Sequence, residues 1–127
     1  MKNEAVIDAS YLIEFIAFPT SERFLWLRKG HLFAPDVICY EYNNFFCNNI
    51  DRLVNVECKC NLIYSLEVQY VSILGLEEEI RRLAISNKLT FYDASYLHIA
   101  MEREIPIATY DKALIQVAKK KNMEVIG

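Results

Sequence analysis

Short apolar segments alternate with helical patterns along the chain, and this alternation is the strongest constraint on its fold. The segments at residues 5–7, 31–34, 105–109 and 123–126 are short enough to be buried strands, and amphipathic stretches separate them. Strands that alternate with helices favour parallel pairing, because each crossover helix covers a face of the sheet. The sequence therefore predicts an α/β fold with a mainly parallel sheet.

The helical stretches carry start and stop signals. A first helix from Ser10 ends at Pro19, and a second, capped by Thr20 or Ser21, ends at Gly30. Pro35 is predicted in the first turn of a third helix, since proline suits that position. Further helices are predicted over residues 51–66, 76–85, 91–104 and 111–121, with a strand or extended loop over 71–74.

Composition favours one globular domain. The chain has 127 residues, of which 54% are hydrophobic, and only three glycines and three prolines, which argues against many-turned β folds. No apolar run approaches the length of a bilayer span, and Met1-Lys2-Asn3-Glu4 does not begin a secretory signal, so a cytoplasmic location is expected. The four cysteines are interpreted as reduced thiols, because a chain with this much core needs no disulfides. A zinc site is disfavoured, because Cys58-Lys59-Cys60 lacks the spacing of zinc ligands.

Net charge limits the classes of partner. With 14 basic and 17 acidic residues the chain carries a formal charge of -3, so binding of a polyanion would need a local basic patch or a bound cation. The run Lys119-Lys120-Lys121 is a candidate patch, although it is more typical of a solvated helix C-terminus. The other basic residues that are candidates for contacting a phosphate backbone are Arg28, Lys29, Arg81, Arg82, Arg103 and Lys112.

Four acidic residues stand where the patterns predict inward-facing positions. Asp8 ends the first strand and Asp111 follows the strand at 105–109, so both lie at strand carboxyl ends, where open parallel sheets bind ligands. Glu41 and Asp93 lie on the apolar stripes of their helices. The sequence thus directs carboxylates inward from two strand ends and two helices.

Converging carboxylates need compensation. At about 5 Å two anions repel by roughly 3 kcal/mol at an effective dielectric of 20. Raised pKa values would relieve this repulsion, and a hard cation such as Mg2+ or Mn2+ would do so more fully. Structural roles remain open, since Asp93 and Asp111 also suit helix caps and Glu41 also suits an ion pair. Taken together, the four acids favour metal chemistry, which can hydrolyse a phosphodiester.

Four motifs carry a resemblance to a known family. They are Val6-Ile7-Asp8-Ala9-Ser10, Glu41-Tyr42-Asn43-Asn44, Leu89-Thr90-Phe91-Tyr92-Asp93-Ala94-Ser95-Tyr96-Leu97 and Thr109-Tyr110-Asp111-Lys112-Ala113-Leu114. Through them the sequence resembles PIN-domain proteins. In size and motif order it is similar to the small VapC-type toxins of prokaryotic toxin-antitoxin pairs.

The resemblance implies a single PIN-like domain over residues 1–127, built as a three-layer α/β/α sandwich, with a Mg2+ or Mn2+ site and endoribonuclease activity. The residues that match the family's metal-binding acids are Asp8, Glu41, Asp93 and Asp111. The matching polar positions beside them are Ser10, Asn44 and Thr109. Some members carry a further acid where this chain has Lys112-Ala113-Leu114, so the number of metals stays open, and residues 45–74 match no motif.

The resemblance also implies partners, namely an RNA substrate, a cognate antitoxin and a second copy in a homodimer. An antitoxin could insert an Arg or Lys among the acids while an apolar helix covers Phe15, Phe24 or Trp26, which are expected to be exposed. Tyrosines near the motifs could stack on unpaired bases, although most are expected in the core. These tyrosines are Tyr11, Tyr40, Tyr42, Tyr92, Tyr96 and Tyr110.

Other function classes fit less well. The chain has no G-x-G-x-x-G and no G-x-x-x-x-G-K-[ST] motif, so dinucleotide and P-loop nucleotide binding are disfavoured. A phosphoacceptor domain would have an acidic pair near the first strand, and Asp8-Ala9-Ser10 does not supply one. The alternative that remains is a catalytically inactive PIN-fold interaction protein.

Overall fold

Five parallel strands form the central sheet of the computed structural model, which describes residues 4–49 and 55–127. In chain order they are β1 (Glu4–Ile7), β2 (His31–Pro35), β3 (Val68–Val71), β4 (Ile107–Ala108) and β5 (Val125–Ile126). Across the sheet the order is β3-β2-β1-β4-β5. The predicted parallel sheet is confirmed.

The connecting helices form two groups. They are α1 (Ala9–Ala17), α2 (Ile38–Asn48), α3 (Val56–Tyr64), α4 (Glu77–Asn87), α5 (Phe91–Arg103) and α6 (Lys112–Lys120), with a 3-10 helix over Glu22–Arg28. Helix α1 contacts α2 and α3, whereas α5 contacts α4, α6 and three of the strands. Right-handed crossovers place α1 to α3 on one face of this sheet and α4 to α6 on the other. The predicted α/β/α sandwich is therefore confirmed.

The core lies between the sheet and these two helical layers. Ala5, Val6 and Ile7 of β1 are fully buried, as expected for a central strand that is covered on both faces. Tyr11 of α1 and Tyr96 of α5 are the largest fully buried side chains. Both tyrosines belong to helices that carry the predicted site motifs. The same helices therefore contribute to the core and to the candidate site.

The direction in which successive strands are added across the sheet reverses between β1 and β4, although all the strands are parallel. From β1 it proceeds through β2 to β3 on one side, and later from β4 to β5 on the other. Ile7 is paired in register with Ala108, so the carboxyl ends of β1 and β4 lie side by side. Such a reversal opens a crevice at the carboxyl edge, where α/β sheets bind ligands.

Two predicted boundaries are wrong near the edge strand. Pro35 ends β2 rather than opening a helix, because it pairs in register with Val71, and α2 begins at Ile38. Of the strand or extended loop predicted over 71–74, only Val71 is in a strand, β3 at Val68–Val71, and the rest is loop, with Leu74 in an exposed turn before Gly75, whose φ is 89°. Gly75 supplies the left-handed backbone that this turn requires.

Further corrections concern the first helices. The second predicted helix is a 3-10 helix, and Phe15 and Phe24, expected to be exposed to a partner, are 0% and 1% exposed. They are buried because their rings pack edge to face with centroids 5.8 Å apart. The helix predicted over 51–66 corresponds to α3, and residues 51–54 lie outside the described residues. None of the helices in the described ranges is long and apolar enough to cross a bilayer.

Candidate active site

Asp8 and Thr109 stand next to each other at the point where the chain reverses. Asp8 follows β1 and Thr109 follows β4, and the Asp8 backbone N–H donates to the Ala108 carbonyl at 3.1 Å. Both residues are almost completely buried. The parallel register between β1 and β4 therefore brings two of the predicted site motifs together.

Three donors fix the Asp8 carboxylate. The Ser10 hydroxyl donates to Oδ1 at 2.7 Å, the Tyr11 backbone N–H donates to the same oxygen at 3.0 Å, and the Thr109 hydroxyl donates to Oδ2. The Tyr11 bond makes Asp8 the N-cap of α1. Asp8 thus combines the helix-capping role with a fixed position at the carboxyl edge of the sheet.

Burial dominates the electrostatics of Asp8. It raises the pKa of this carboxyl from 3.8 to about 6, the hydrogen bonds from Thr109, Ser10 and Tyr11 oppose the rise, and the negative charge of Asp111 adds to it. These donors only partly replace the water that Asp8 loses on burial. A cation beside the carboxylate would restore its ordinary acidity.

The hydroxyls of Ser10 and Thr109 also shape the loop that follows β4. Their oxygens lie 3.4 Å apart, and the backbone N–H groups of Tyr110 and Asp111 donate to Ser10 and Thr109 respectively, each at 3.0 Å. The Asp111 Oδ1 atom in turn accepts from the Leu114 backbone N–H at 2.9 Å and caps α6. Ser10 and Thr109 therefore position both Asp8 and the backbone of Asp111.

Glu41 enters the site from α2 and is held by a residue of α5. The Tyr96 hydroxyl donates to Glu41 Oε1 at 2.5 Å. Burial raises the pKa of Glu41, the Tyr96 bond opposes that rise, and the charges of Asp93 and Asp111 add to it. Burial of Tyr96 and the adjacent charge of Glu41 raise the pKa of the Tyr96 phenol. The phenol therefore stays protonated and remains a donor.

Asp93 lies in the first turn of α5, where Thr90 is the N-cap. The Asp93 backbone N–H donates to the Thr90 hydroxyl at 3.0 Å. Burial raises the pKa of the Asp93 carboxyl, and the charge of Asp111 raises it further. The charge of Asp111 therefore acts on Asp8, Glu41 and Asp93.

Asn44 lies outside this hydrogen-bonded cluster, on the solvent side. It is exposed on α2, one helical turn after Glu41. Together with Glu41, Tyr40 and Tyr92 it lines an open groove of about 470 Å³. Asn44 and Glu41 are thus the predicted site residues that line this groove, and Asn44 takes no part in the hydrogen bonds around Asp8.

The donor chemistry of the four acids fits a hard divalent cation. Every ligand they offer is a carboxylate oxygen, and the ion pairs of the described residues involve Glu14, Glu78 and Glu79 instead. Within the described ranges no three Asp, Glu, His or Cys side chains are close enough to hold a metal ion. What connects the four acids is electrostatic, since the charge of Asp111 raises the pKa values of the other three.

Two residues near the site were not singled out for these positions by the sequence. Tyr96 is one of the tyrosines for which base stacking or a core position was predicted; it is 1% exposed, and its hydroxyl holds Glu41, a role that was not predicted. Its position three residues after Asp93 places it on the same helical face, which is the signal that was available. Arg23 lies with its guanidinium carbon 5.4 Å from the centroid of the Tyr110 ring, beside Asp111 in the chain. No pattern in the sequence connects Arg23 with that loop.

Comparisons with known proteins extend these observations. The model of the PIN domain family matches residues 5–120. Among solved structures, 17 chains match, and one is the crystal structure of PAE2754 from Pyrobaculum aerophilum. It is 26% identical, the alignment covers 99% of this chain and 92% of that chain, and the TM-score is 0.75. No curated protein matches the chain.

Proposed function

Because the chain belongs to the PIN domain family, whose members are generally nucleases, we propose that residues 1–127 form a single domain that hydrolyses RNA phosphodiester bonds with a divalent metal. The observation that supports this proposal is that burial raises the pKa values of Asp8, Glu41 and Asp93, and that the charge of Asp111 raises all three further. Carboxylates arranged in this way at a ligand-binding edge are typical of a metal-dependent active site.

Asp8, Glu41, Asp93 and Asp111 would hold Mg2+ or Mn2+. The metal, when bound, supplies positive charge that stabilises phosphoryl oxygens and makes water more acidic. Either ion suits an all-oxygen ligand set. Whether one or two ions are held depends on the acids alone, since Lys112 follows Asp111 and adds no further ligand.

The chain's own residues divide the remaining work. Ser10 and Thr109 orient Asp8, and Tyr96 orients Glu41. Glu41 and Asp93 are only partly buried, so solvent reaches them, and we propose that one of them orients the attacking water and takes its proton. Because their pKa values are raised toward neutral pH, the two carboxylates are stronger bases than ordinary ones.

The test is cleavage of structured RNAs by the purified protein with Mg2+ or Mn2+, and then with EDTA. We expect cuts in single-stranded or loop regions that EDTA abolishes and added Mn2+ restores. Cleavage that persists in EDTA would exclude the metal mechanism. The absence of cleavage under every metal condition would favour an interaction protein that keeps the fold without activity.

We also propose that the protein is a VapC-type toxin with a cognate antitoxin. The support is the motif resemblance together with the uncompensated acids, which an Arg or Lys from a partner peptide would neutralise. Co-expression with the adjacent reading frame and pull-down should recover a small protein that blocks cleavage. If that protein does not bind, or binds without inhibition, the toxin assignment fails while the nuclease assignment stands. Light scattering tests the homodimer that the resemblance implies.

A further inference from the structure

Two tyrosines beside the acids are exposed, unlike the others near the site. Tyr40 is 75% and Tyr92 49% exposed, whereas Tyr11, Tyr42 and Tyr96 are buried. Each exposed tyrosine directly precedes a candidate metal ligand in the sequence, Glu41 in α2 and Asp93 in α5. Two helices therefore present an aromatic side chain to solvent at the position before a site carboxylate.

The two tyrosines share one groove. Tyr40, Glu41, Asn44 and Tyr92 line the open groove of about 470 Å³, and none of these lining residues is a Lys or Arg. A phosphate would find no cation there and would meet the Glu41 carboxylate, so charge does not favour the RNA backbone in this groove. An uncharged aromatic ligand does not incur this repulsion.

Asn44 adds a polar contact to the aromatic groove. Its exposed amide offers two donors and an acceptor, which is the set that reads the hydrogen-bonding edge of a base. Among the described residues no hydrogen bond engages this amide, whereas Asn43 and Asn49 of the same region donate to backbone carbonyls. Asn44 is therefore available to a ligand.

We propose that this groove binds an unpaired nucleobase of single-stranded RNA, next to the phosphodiester that is cut. The base stacks on Tyr40 and Tyr92 and hydrogen-bonds to Asn44. The inference rests on the proposed ribonuclease function and specifies its substrate, because a base held in a duplex is already stacked on its neighbours and does not enter the groove.

The test is binding of a single-stranded oligoribonucleotide that carries 2-aminopurine, followed by its fluorescence in EDTA so that the RNA stays intact. We expect Tyr40→Ala and Tyr92→Ala each to weaken binding about tenfold and to reduce quenching, since stacking on one aromatic side chain accounts for an effect of that size. Tyr40→Phe and Tyr92→Phe should retain both. The acids repel the RNA backbone equally in all variants. The ratio of the wild-type affinity to that of a variant therefore measures the contribution of the substituted tyrosine.

Tyr64→Ala is the matched control, because Tyr64 is 65% exposed but does not line the groove. It should leave binding unchanged, and a duplex of the same sequence should bind more weakly. The inference is overturned if the wild-type chain does not bind the single strand, if both alanine variants bind as tightly as the wild type, or if the phenylalanine variants lose as much as the alanine variants. The last result would assign the contact to the hydroxyls.

These outcomes separate the inference from the proposed function. Tyrosine-dependent binding by a protein that never cuts RNA would contradict the nuclease proposal alone. Metal-dependent cutting with binding that is independent of Tyr40 and Tyr92 would contradict the stacking groove alone. A peptide rich in Arg that binds through the tyrosines, with no RNA binding, would replace the base by a protein partner and overturn the inference.

Discussion

The candidate site has a buried half and an open half that hold their carboxylates by different means. In the buried half, formed by Asp8, Ser10 and Thr109, side-chain hydroxyls and a backbone N–H fix the acid at the reversal of the sheet. In the open half, formed by Glu41, Asp93, Asn44, Tyr40 and Tyr92, the acids are partly exposed beside the groove. The buried half is built for a fixed ligand, and the open half is where water and substrate approach.

Asp111 connects the two halves. Its charge contributes to the raised pKa of Asp8 on one side and to those of Glu41 and Asp93 on the other. The two halves therefore differ in how they connect stability with activity. A change in the buried half should alter folding as well as metal binding, whereas a change in the open half should alter chemistry with little effect on folding.

The largest effect is expected from Asp93→Asn in the open half. Cleavage should fall by orders of magnitude, because a metal ligand or base is lost. The metal-free fold should be no less stable, or slightly more stable, because the backbone N–H of residue 93 still donates to the Thr90 hydroxyl and the substitution removes one repelling charge. The measurements are RNA cleavage and the melting temperature of the same variant.

The same variant should respond less to metal. Mn2+ stabilises the wild-type protein if it binds the folded state alone, and losing one ligand reduces that rise in melting temperature. A variant that is destabilised but still active would show that Asp93 serves only the helix. That result would remove the distinction between the two halves.

The next effect concerns the buried half and its pH dependence in EDTA. Because burial raises the pKa of Asp8 to about 6, its protonated form is favoured in the folded state. The resulting stabilisation is complete below the unfolded pKa and is lost as pH rises through about 6, with a magnitude of about 3 kcal/mol for a two-unit shift.

Urea unfolding of the wild type and Asp8→Asn between pH 4 and 8 tests this prediction. The free energy of unfolding of the wild type should fall relative to that of the variant as pH rises. Parallel curves would contradict the raised pKa. Added metal should diminish the difference in the wild type, because a cation favours the ionised carboxylate.

The sequence predicted more of the buried half than of the open half. Asp8 and Thr109 follow strands, and register in a parallel sheet joins strand ends over 101 residues of chain without further information. The partnership between Glu41 and Tyr96 depends on how α2 and α5 pack across the domain, which local periodicity does not specify. The motif identified Asn44 as a site residue, but it did not predict that Asn44 is exposed.

The wrong predictions about the fold also arise because local sequence patterns do not specify contacts between elements. Pro35 suits the start of a helix as well as the end of a strand, and only pairing with Val71 decides between them. Phe15 and Phe24 were expected to be exposed because their mutual packing is a contact between two elements, which the sequence pattern of each element alone does not show. Local patterns therefore located the elements, whereas contacts between elements determined their boundaries and faces.

A smaller effect is expected from Tyr96→Phe, which loosens the support of Glu41. Cleavage should fall about tenfold, a change of about 1.4 kcal/mol that one hydrogen bond to a charged group can account for. Since the Tyr96 bond opposes the rise in the pKa of Glu41, its loss should move the acid limb of the pH-rate profile to higher pH.

Tyr42→Phe is the control for this change. Its buried hydroxyl donates to the Cys39 Sγ atom at 3.6 Å and does not contact an acid of the site. It should therefore leave the pH-rate profile unchanged. If both variants shift the profile equally, the effect of Tyr96 is structural and Glu41 has no special dependence on it.

The smallest effect, Thr90→Ala, reverses the pattern expected for Asp93. Removing the N-cap hydroxyl costs about 1 kcal/mol of unfolding free energy, because the Asp93 backbone N–H loses its acceptor at 3.0 Å. The Asp93 carboxylate remains on the first turn of α5, so cleavage at saturating metal should stay close to that of the wild type. Thr90→Ser restores the acceptor and should recover the stability. Because Thr90 and Asp93 share one helical turn, a loss of cleavage in Thr90→Ala that Thr90→Ser does not recover would mean that the turn itself, rather than its carboxylate, limits the reaction.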